Sequence, residues 1–117
     1  MKVYLAGGFH SNWQERVMSA APQHTYFNPK ANKIAGAGNY TAWDKEMIKQ
    51  SDIVFVYYEE DNPSGIGLAY EAGYGMGLNK TVIFVCEKQD RYAMILLFGT
   101  SVAYSEFNEG IEFLRSL

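Results

Sequence analysis

Residues 53–58 have the sequence IVFVYY, a continuous run of β-branched and aromatic side chains. Side chains of this kind favour β-strands, and the lack of polar–apolar alternation predicts a strand that is buried on both faces. A second such run, TVIFVC, occupies residues 81–86. Strands buried on both faces are typical of parallel sheets with helices packed against each side. The two runs therefore predict the centre of an α/β fold.

Segments on both sides of these runs extend the predicted fold. Three shorter apolar runs are predicted as strands, at residues 3–6, 25–27 and 102–104. Apolar residues at helical spacing, together with capping residues, predict four helices. These run from Ser11 or Asn12 to about Ala20, from a Thr41 cap to Gln50, over residues 66–78 with Asn79 as a left-handed C-cap, and from Ser105 or Asn108 to near Leu117.

The order of these elements predicts the fold class. Strands and helices alternate along the chain, which favours an open, mostly parallel sheet with helices on both faces. The chain has 117 residues, a length for which one domain over residues 1–117 is expected. Residues 30–40 show no clear period and are predicted as a mobile loop, and residues 88–98 as a loop with a short helix.

Composition narrows the class of partner. The net charge is −3, and the sequence contains no basic run, so a nucleic-acid polymer is not expected as a partner. The apolar stretch at the N-terminus is too short for a signal peptide or a membrane span. Cys86 is the single cysteine, which fits a reducing compartment. We therefore expect a cytoplasmic protein with no membrane partner.

The carboxyl ends of the predicted strands are where a ligand is expected. Residues 7–10, 59–65 and 87–91 follow three of these strands. Residues 64–77, which include most of the helix after residue 65, carry five glycines and one carboxylate, Glu71, among small and aromatic residues. Glycine inside a helix costs about 1 kcal/mol relative to alanine, so these glycines indicate close approach to the sheet or to a ligand. Glu71 is then either a surface residue or one that points into a pocket.

Several short motifs together resemble one known family. They are VYLAGGF at residues 3–9, Asp44 upstream of SDIV at 51–54, GLAYEAGY at 67–74 and NKTVI at 79–83. This combination resembles the nucleoside 2-deoxyribosyltransferase family, which includes the related deoxynucleoside 5′-monophosphate N-glycosidases. The resemblance covers most of residues 1–86. It implies a flavodoxin-like, doubly wound sheet of about five parallel strands.

The resemblance also implies roles for individual residues. Glu71 matches the family's nucleophile, Asp44 an acid that holds the sugar or base, and Tyr4 a tyrosine near the nucleophile. Gly7 and Phe9 match residues that line the base pocket, and Gly67 belongs to the motif around the nucleophile. In this chemistry a carboxylate attacks the anomeric carbon and forms a glycosyl ester, as in retaining glycosidases. Neither a metal nor a cofactor is required.

Two positions depart from the family pattern. Many members carry an acid six residues before the nucleophile, where this chain has Gly65, so the proton for the departing base is expected from Asp44 or from Asp61. Ser64 and Gly65 resemble the phosphate-binding loop of the monophosphate glycosidases, although Ser64 is also a plain candidate for a helix cap. Met94 stands where a neighbouring subunit of the family supplies a polar residue.

Three functions remain open from the sequence. The first is transfer of a 2′-deoxyribosyl group between nucleobases, and the second is hydrolysis of a nucleoside 5′-monophosphate to base and sugar phosphate. The third is a nucleotide-binding module without catalysis, which the departures at Gly65 and Met94 motivate. The expected partner is a small nucleoside or nucleotide. The family's assemblies imply a homo-oligomer.

Overall fold

The computed structural model describes residues 1–32, 34–89 and 99–117. Within these ranges, strands and helices alternate along the chain as the sequence predicts. The elements are β1 (Lys2–Gly7), α1 (Trp13–Ala20), β2 (Thr25–Phe27), a short 3-10 helix (Pro29–Ala31), α2 (Ala37–Gln50), β3 (Ile53–Tyr58), α3 (Ile66–Gly77), β4 (Thr81–Cys86), β5 (Val102–Tyr104) and α4 (Phe107–Ser116).

The five strands form one sheet in the order β2-β1-β3-β4-β5, and every neighbouring pair is parallel. This confirms the predicted doubly wound sheet. From β1 the chain first moves outward to β2 and then returns to place β3 on the other side of β1. The loops after β1 and β3 therefore leave the sheet side by side at the switch in strand order, where such folds bind ligands.

Alternate side chains of the strands pack into two separate cores, because successive residues of a strand point to opposite faces. In β1, Val3 and Leu5 face α1 and α4, whereas Tyr4 and Ala6 face α2 and α3. All four side chains are fully buried. The helices on both faces confirm the expectation that the central strands are buried on each side.

The end of α3 follows the predicted left-handed cap. Asn79 has φ 59°, the chain's one positive φ at a non-glycine residue among the described residues. Its backbone N–H donates to the carbonyl of Met76, and that of Lys80 donates to the carbonyl of Gly75. This pair of hydrogen bonds is the Schellman motif, which ends the helix and turns the chain into β4.

The start of α2 differs from the prediction. The helix begins at Ala37, with Gly36 as N-cap at φ 90°, so Thr41 lies inside the helix and the prediction of a Thr41 cap is wrong. The backbone N–H groups of Asn39 and Tyr40 both donate to the Gly36 carbonyl. A turn with Gly36 and Gly38 can thus enter a helix directly, and residues 37–40, predicted as a loop, form its exposed first turn.

Two further predictions need correction or lie outside the described ranges. The N-cap of α4 is Glu106, so neither Ser105 nor Asn108 caps the last helix. Residues 29–31 form a 3-10 helix in a segment predicted as loop from residue 30. The short helix predicted within 88–98, and Met94 with it, falls largely on residues outside the described ranges. Among the described residues, no helix combines the length and the apolar character that crossing a membrane requires.

Candidate active site

The end of β1 and the loop after it pass so close to neighbouring atoms that only glycine fits at Gly7. A Cβ on Gly7 would lie 2.6 Å from the Tyr57 carbonyl oxygen and 2.7 Å from the Trp13 ring. The Gly8 carbonyl accepts two hydrogen bonds of 2.9 Å, from Trp13 Nε1 and Gln14 Nε2. The indole and the amide therefore hold this turn from the start of α1, and the loop passes close over the end of β3.

A cavity of about 410 Å³ lies at this edge, between the loops after β1 and β3 and the helices α2 and α3. This volume is in the range of pockets for small organic ligands. Its lining combines apolar groups with a few polar ones: Gly7, Gly8, Phe9, Pro29, Asn32, Ile34, Tyr40, Asp44, Asn62, Ser64, Gly67, Leu68 and Glu71. Two of these residues are carboxylates, and none is a lysine or an arginine.

Glu71 is held in this cavity by Tyr4. The Tyr4 hydroxyl donates a hydrogen bond to Glu71 Oε2. Tyr4 points from β1 into the core beneath α3 and is fully buried. Leu68, three residues before Glu71, and Ala72, one residue after it, are buried against the sheet and fix the rotation of α3. Of the two positions expected for Glu71, a surface or a pocket, the structure shows the pocket.

Burial changes the proton affinity of both carboxyl groups. Desolvation by burial raises the pKa of Glu71 to about 7, the neighbouring Asp44 adds to the rise, and the Tyr4 hydrogen bond opposes it. Burial also raises the pKa of Asp44, and the Tyr4 hydroxyl again favours the charged form. The pKa of Tyr4 itself lies far above its usual range because of burial and the two acids. Tyr4 therefore stays protonated and acts as a hydrogen-bond donor.

The other predicted binding residues divide into two groups. Gly7, Phe9, Ser64 and Gly67 line the cavity, with Phe9 55% exposed at its rim. Gly65 and Asp61 are not among the lining residues. A Cβ on Gly65 would lie 2.6 Å from the Tyr58 ring, which explains the glycine by close packing.

Ser64 does not cap α3. Gly65 occupies the N-cap position without a side-chain hydrogen bond. The Ser64 backbone N–H instead donates to Asn62 Oδ1 over 3.0 Å. The Ser64 side chain is thus left at the cavity wall, close to the first turn of α3.

Sequence reasoning missed two amide side chains of the cavity wall. Asn62 is buried, and its carbonyl oxygen binds the Ser64 N–H. Asn32 Oδ1 accepts from the Ile34 N–H at 3.2 Å, and its buried Nδ2 has no hydrogen-bond partner among the described residues. Both lie in loops between predicted elements, where the available signal was only the turn-forming character of asparagine.

Asp61 points away from the cavity, towards His10. The His10 Nε2 atom lies 2.7 Å from Glu59 Oε2 and 3.2 Å from Asp61 Oδ1. Ligand atoms of these three residues lie within 4.8 Å of one another, the one such group of metal-ligating side chains within the described ranges. A separation of 2.7 Å is that of a charge-assisted hydrogen bond, so we interpret the group as an imidazole that is hydrogen-bonded to two carboxylates.

Comparison with known proteins identifies the family. No curated protein sequence matches the chain. A family model described as nucleoside 2-deoxyribosyltransferase like matches residues 1–89.

Three solved structures share the fold over almost the whole chain. A 2-deoxyribosyltransferase from Leishmania mexicana has a TM-score of 0.77 at 19% identity, with 98% of this chain and 97% of that chain covered. A 2-deoxyribosyltransferase from Bacillus psychrosaccharolyticus has a TM-score of 0.71 at 24% identity, with 93% of this chain and 89% of that chain covered. A CMP N-glycosidase from Clostridium botulinum has a TM-score of 0.70 at 16% identity, with 100% of both chains covered. Because the family model spans about three quarters of the sequence, the chain belongs to the nucleoside 2-deoxyribosyltransferase-like family.

Proposed function

We propose that the protein cleaves the N-glycosidic bond of a 2′-deoxynucleoside through a covalent glycosyl ester on Glu71 and transfers the sugar to a second nucleobase. The observation that carries this proposal is the contact of Tyr4 with Glu71 in a cavity that also contains Asp44. A mostly buried carboxylate with a raised pKa and a hydrogen-bond donor at its side is typical of a catalytic carboxylate.

In the first step, Glu71 attacks the anomeric carbon of the sugar. The bond from that carbon to the base nitrogen breaks, and its electron pair leaves with the base. A proton from Asp44 neutralises the departing base. The carboxylate also stabilises the positive charge that develops on the sugar before the new C–O bond is complete.

This step requires that Glu71 is charged while Asp44 holds a proton. Tyr4 supports the first condition, because its hydroxyl donates to Glu71 and so stabilises the charged form of this group. Asp44 is partly buried and has a raised pKa, which favours its neutral form and supports the second condition. Burial opposes ionisation at both residues, and the Tyr4 hydroxyl offsets part of that effect at each.

In the second step, a nitrogen of another base attacks the anomeric carbon from the face that the first base left. The ester bond to Glu71 breaks, the carboxylate recovers its electron pair, and Asp44 accepts the proton of the incoming base. Two inversions give net retention at the anomeric carbon. Because Glu71 must be ionised in the free enzyme, kcat/KM is expected to rise with pH through about 7.

Hydrolysis of a nucleoside 5′-monophosphate is the second candidate. It is favoured by Ser64, which lines the cavity beside the N-terminus of α3, where a hydroxyl and free backbone N–H groups suit a phosphate. The cavity lining that the described residues form carries two carboxylates, Asp44 and Glu71, which disfavour a dianionic substrate. This balance of charge is our reason for ranking the uncharged nucleoside first.

We also propose that the protein is a homo-oligomer that assembles through the outer face of α3. Ile66 and Tyr70 are 81% and 53% exposed on this helix. They lie one helical turn apart, next to the cavity opening that Phe9 flanks. Light scattering of the wild type against Tyr70→Lys tests this surface, and an unchanged mass would contradict it.

Mass spectrometry of the intact protein tests the covalent mechanism. Brief exposure to a 2′-deoxynucleoside is expected to add one deoxyribosyl group, located on a peptide that contains Glu71. The matched control is Glu71→Gln, which keeps the shape but cannot form the ester. Addition of a free second base should discharge the adduct and yield a new nucleoside.

Other outcomes separate the remaining functions. Release of sugar phosphate from a 5′-monophosphate, without base exchange, would favour the hydrolase. Nucleoside binding without adduct or turnover, unchanged in Glu71→Ala, would favour the binding module.

A further inference from the structure

A group of charged side chains lies just outside the cavity and has no part in the mechanism above. It consists of His10, Glu59 and Asp61, which we call the His10 clasp. The His10 Nε2 atom is within hydrogen-bond distance of a carboxylate oxygen from each of the other two residues. Glu59 is 6% exposed and also accepts a hydrogen bond from the Ser11 hydroxyl. The buried carboxylate therefore anchors the loop after β1 at two adjacent residues.

The clasp joins the two loops that wall the cavity. His10 directly follows Gly8 and Phe9, which line the cavity, and Glu59 and Asp61 lie three residues and one residue before Asn62, which also lines it. Asp61 is exposed, so its contact with His10 is not a consequence of packing. The contact instead fixes how the two loops lie relative to each other.

Gly8 lies between the His10 imidazole and the cavity wall and packs closely against both. A Cβ on Gly8 would lie 2.9 Å from the His10 ring and 3.1 Å from Asn62 Nδ2. The ring and the amide thus enclose the glycine backbone, while Trp13 and Gln14 hold its carbonyl from below. A displacement of His10 would therefore move Asn62 and Phe9, whereas Glu71 and Tyr4 are held by a helix and a strand.

We propose that His10 is a positioning residue that holds the two loops closed on the substrate, so that the clasp sets substrate affinity and leaves the chemical step unchanged. This inference rests on the proposed function, because it concerns the same cavity. It assigns a role to His10, which takes no part in the chemical steps proposed for Glu71, Tyr4 and Asp44.

Charged groups surround the clasp. Glu60 faces it from the loop after β3, and Glu87 from the end of β4, across a second cavity of about 400 Å³. The cations nearby are Arg16 of α1, which lines that cavity, Lys88, which lowers the pKa of Asp61 less than His10 does, and Lys30, whose Nζ binds the Ser11 carbonyl. The hydrogen bond from His10 holds the pKa of Asp61 below its usual range, so this carboxylate stays charged and its contact with the imidazole is charge-assisted.

Binding measurements in the Glu71→Gln background test the clasp without turnover and without titration of Glu71. We expect His10→Gln in this background to weaken binding of a 2′-deoxynucleoside by about two- to five-fold. In the Glu71-containing enzyme, His10→Gln should raise KM by the same factor and leave kcat within about two-fold.

Matched variants separate the clasp from general charge effects. Asp61→Asn should reproduce part of the loss, whereas Glu60→Gln removes a neighbouring charge that does not contact His10 among the described residues and should have no effect. Equal affinities of the His10 variant and its parent, or a fall in kcat alone, would overturn the proposal. If the parent binds the nucleoside and the His10 variant binds it with the same affinity, only the clasp is refuted. If the wild type neither binds nor turns over nucleosides, the proposed function is refuted.

A metal ion is the competing interpretation of the same residues. Calorimetric titration with Zn²⁺ or Mn²⁺ alone is expected to give no saturable binding. Stoichiometric binding that disappears in His10→Gln would overturn the clasp and identify these residues as ligands instead.

Discussion

The two faces of the sheet are packed in different ways. The face covered by α1 and α4 is closed by aromatic rings, with Trp13 stacked on Phe55 at 6.2 Å and Phe107 against Tyr57 at 4.4 Å between ring centroids. On the face covered by α2 and α3, the fully buried Tyr4 meets a carboxylate, and a cavity opens beside it. The first face supplies apolar stability, and the second presents the carboxyl groups of Asp44 and Glu71 to a cavity at its edge.

The glycines of the two helices show the same contrast. On α4, a Cβ added to Gly110 would lie 2.3 Å from Val85 Cγ2, so that helix approaches the sheet as closely as its backbone allows. On α3, Gly67, Gly73 and Gly77 have nothing within 4 Å of an added Cβ. Close packing thus explains Gly110, whereas most glycines of α3 need another explanation, such as a ligand at Gly67 or a second subunit.

Replacement of Glu71 by glutamine should have the largest effect and should change activity and stability in opposite directions. Loss of the proposed nucleophile is expected to lower kcat by roughly a thousand-fold or more. In the folded protein the pKa of Glu71 is about 7, above the ordinary glutamate value of 4.5. The ionised carboxylate therefore costs stability that builds up between these pH values and is complete above 7.

The variant lacks this cost, so its free energy of unfolding above pH 7 should exceed that of the wild type by about 3 kcal/mol. Urea unfolding at pH 5 and pH 8 measures the difference, which should be small at the lower pH. An equal difference at both values would show that Glu71 is not desolvated as described.

Gly110→Ala should give the largest loss of stability. The new methyl group would overlap Val85, a buried β-branched side chain with little rotamer freedom. Overpacking of this kind costs about 2 kcal/mol, which exceeds the gain in helix propensity of about 1 kcal/mol. Thermal and urea unfolding measure the change. Unaltered stability would mean that α4 can move away from the sheet freely.

The same contrast shows what sequence alone can predict. Strands β3 and β4 were predicted with their observed bounds, because burial on both faces leaves an uninterrupted apolar run. The start of α2 was not predicted, because Gly36 and Gly38 resemble a loop and their role depends on the turn that they form. Glu71 was ambiguous for a similar reason, since only the folded chain brings Tyr4 from β1 to its side.

The candidate site depends even more on contacts between loops. Asn32 and Asn62 carry no periodic signal, and their place in the cavity wall follows from loop geometry. Asp61 was predicted in the binding site from its distance along the chain. Its side chain lies instead with His10, whereas Asn62, whose N–H closes a turn onto the Glu59 carbonyl, lines the cavity.

Tyr4→Phe tests the buried hydrogen bond on the reactive face. Without the hydroxyl, the charged form of Glu71 loses its donor, and the pKa of Glu71 should rise above about 7. At pH 7, kcat/KM is expected to fall by about ten-fold, with part of the loss recovered at higher pH. A pH–rate profile measures this shift of the acidic limb. A uniform loss at all pH values would mean that Tyr4 acts on the transition state and not on the ionisation of Glu71.

Gly73→Ala should have the smallest effect and is the counterpart of Gly110→Ala. The glycine lies within α3, is exposed and has open space where a Cβ would be. Alanine should therefore stabilise the chain by about 0.5 to 1 kcal/mol through helix propensity alone. Urea unfolding at several protein concentrations separates this gain from assembly. A loss of stability that grows with protein concentration would mean that a second subunit occupies the open space beside Gly73. The exposed face of α3 would then be a subunit interface.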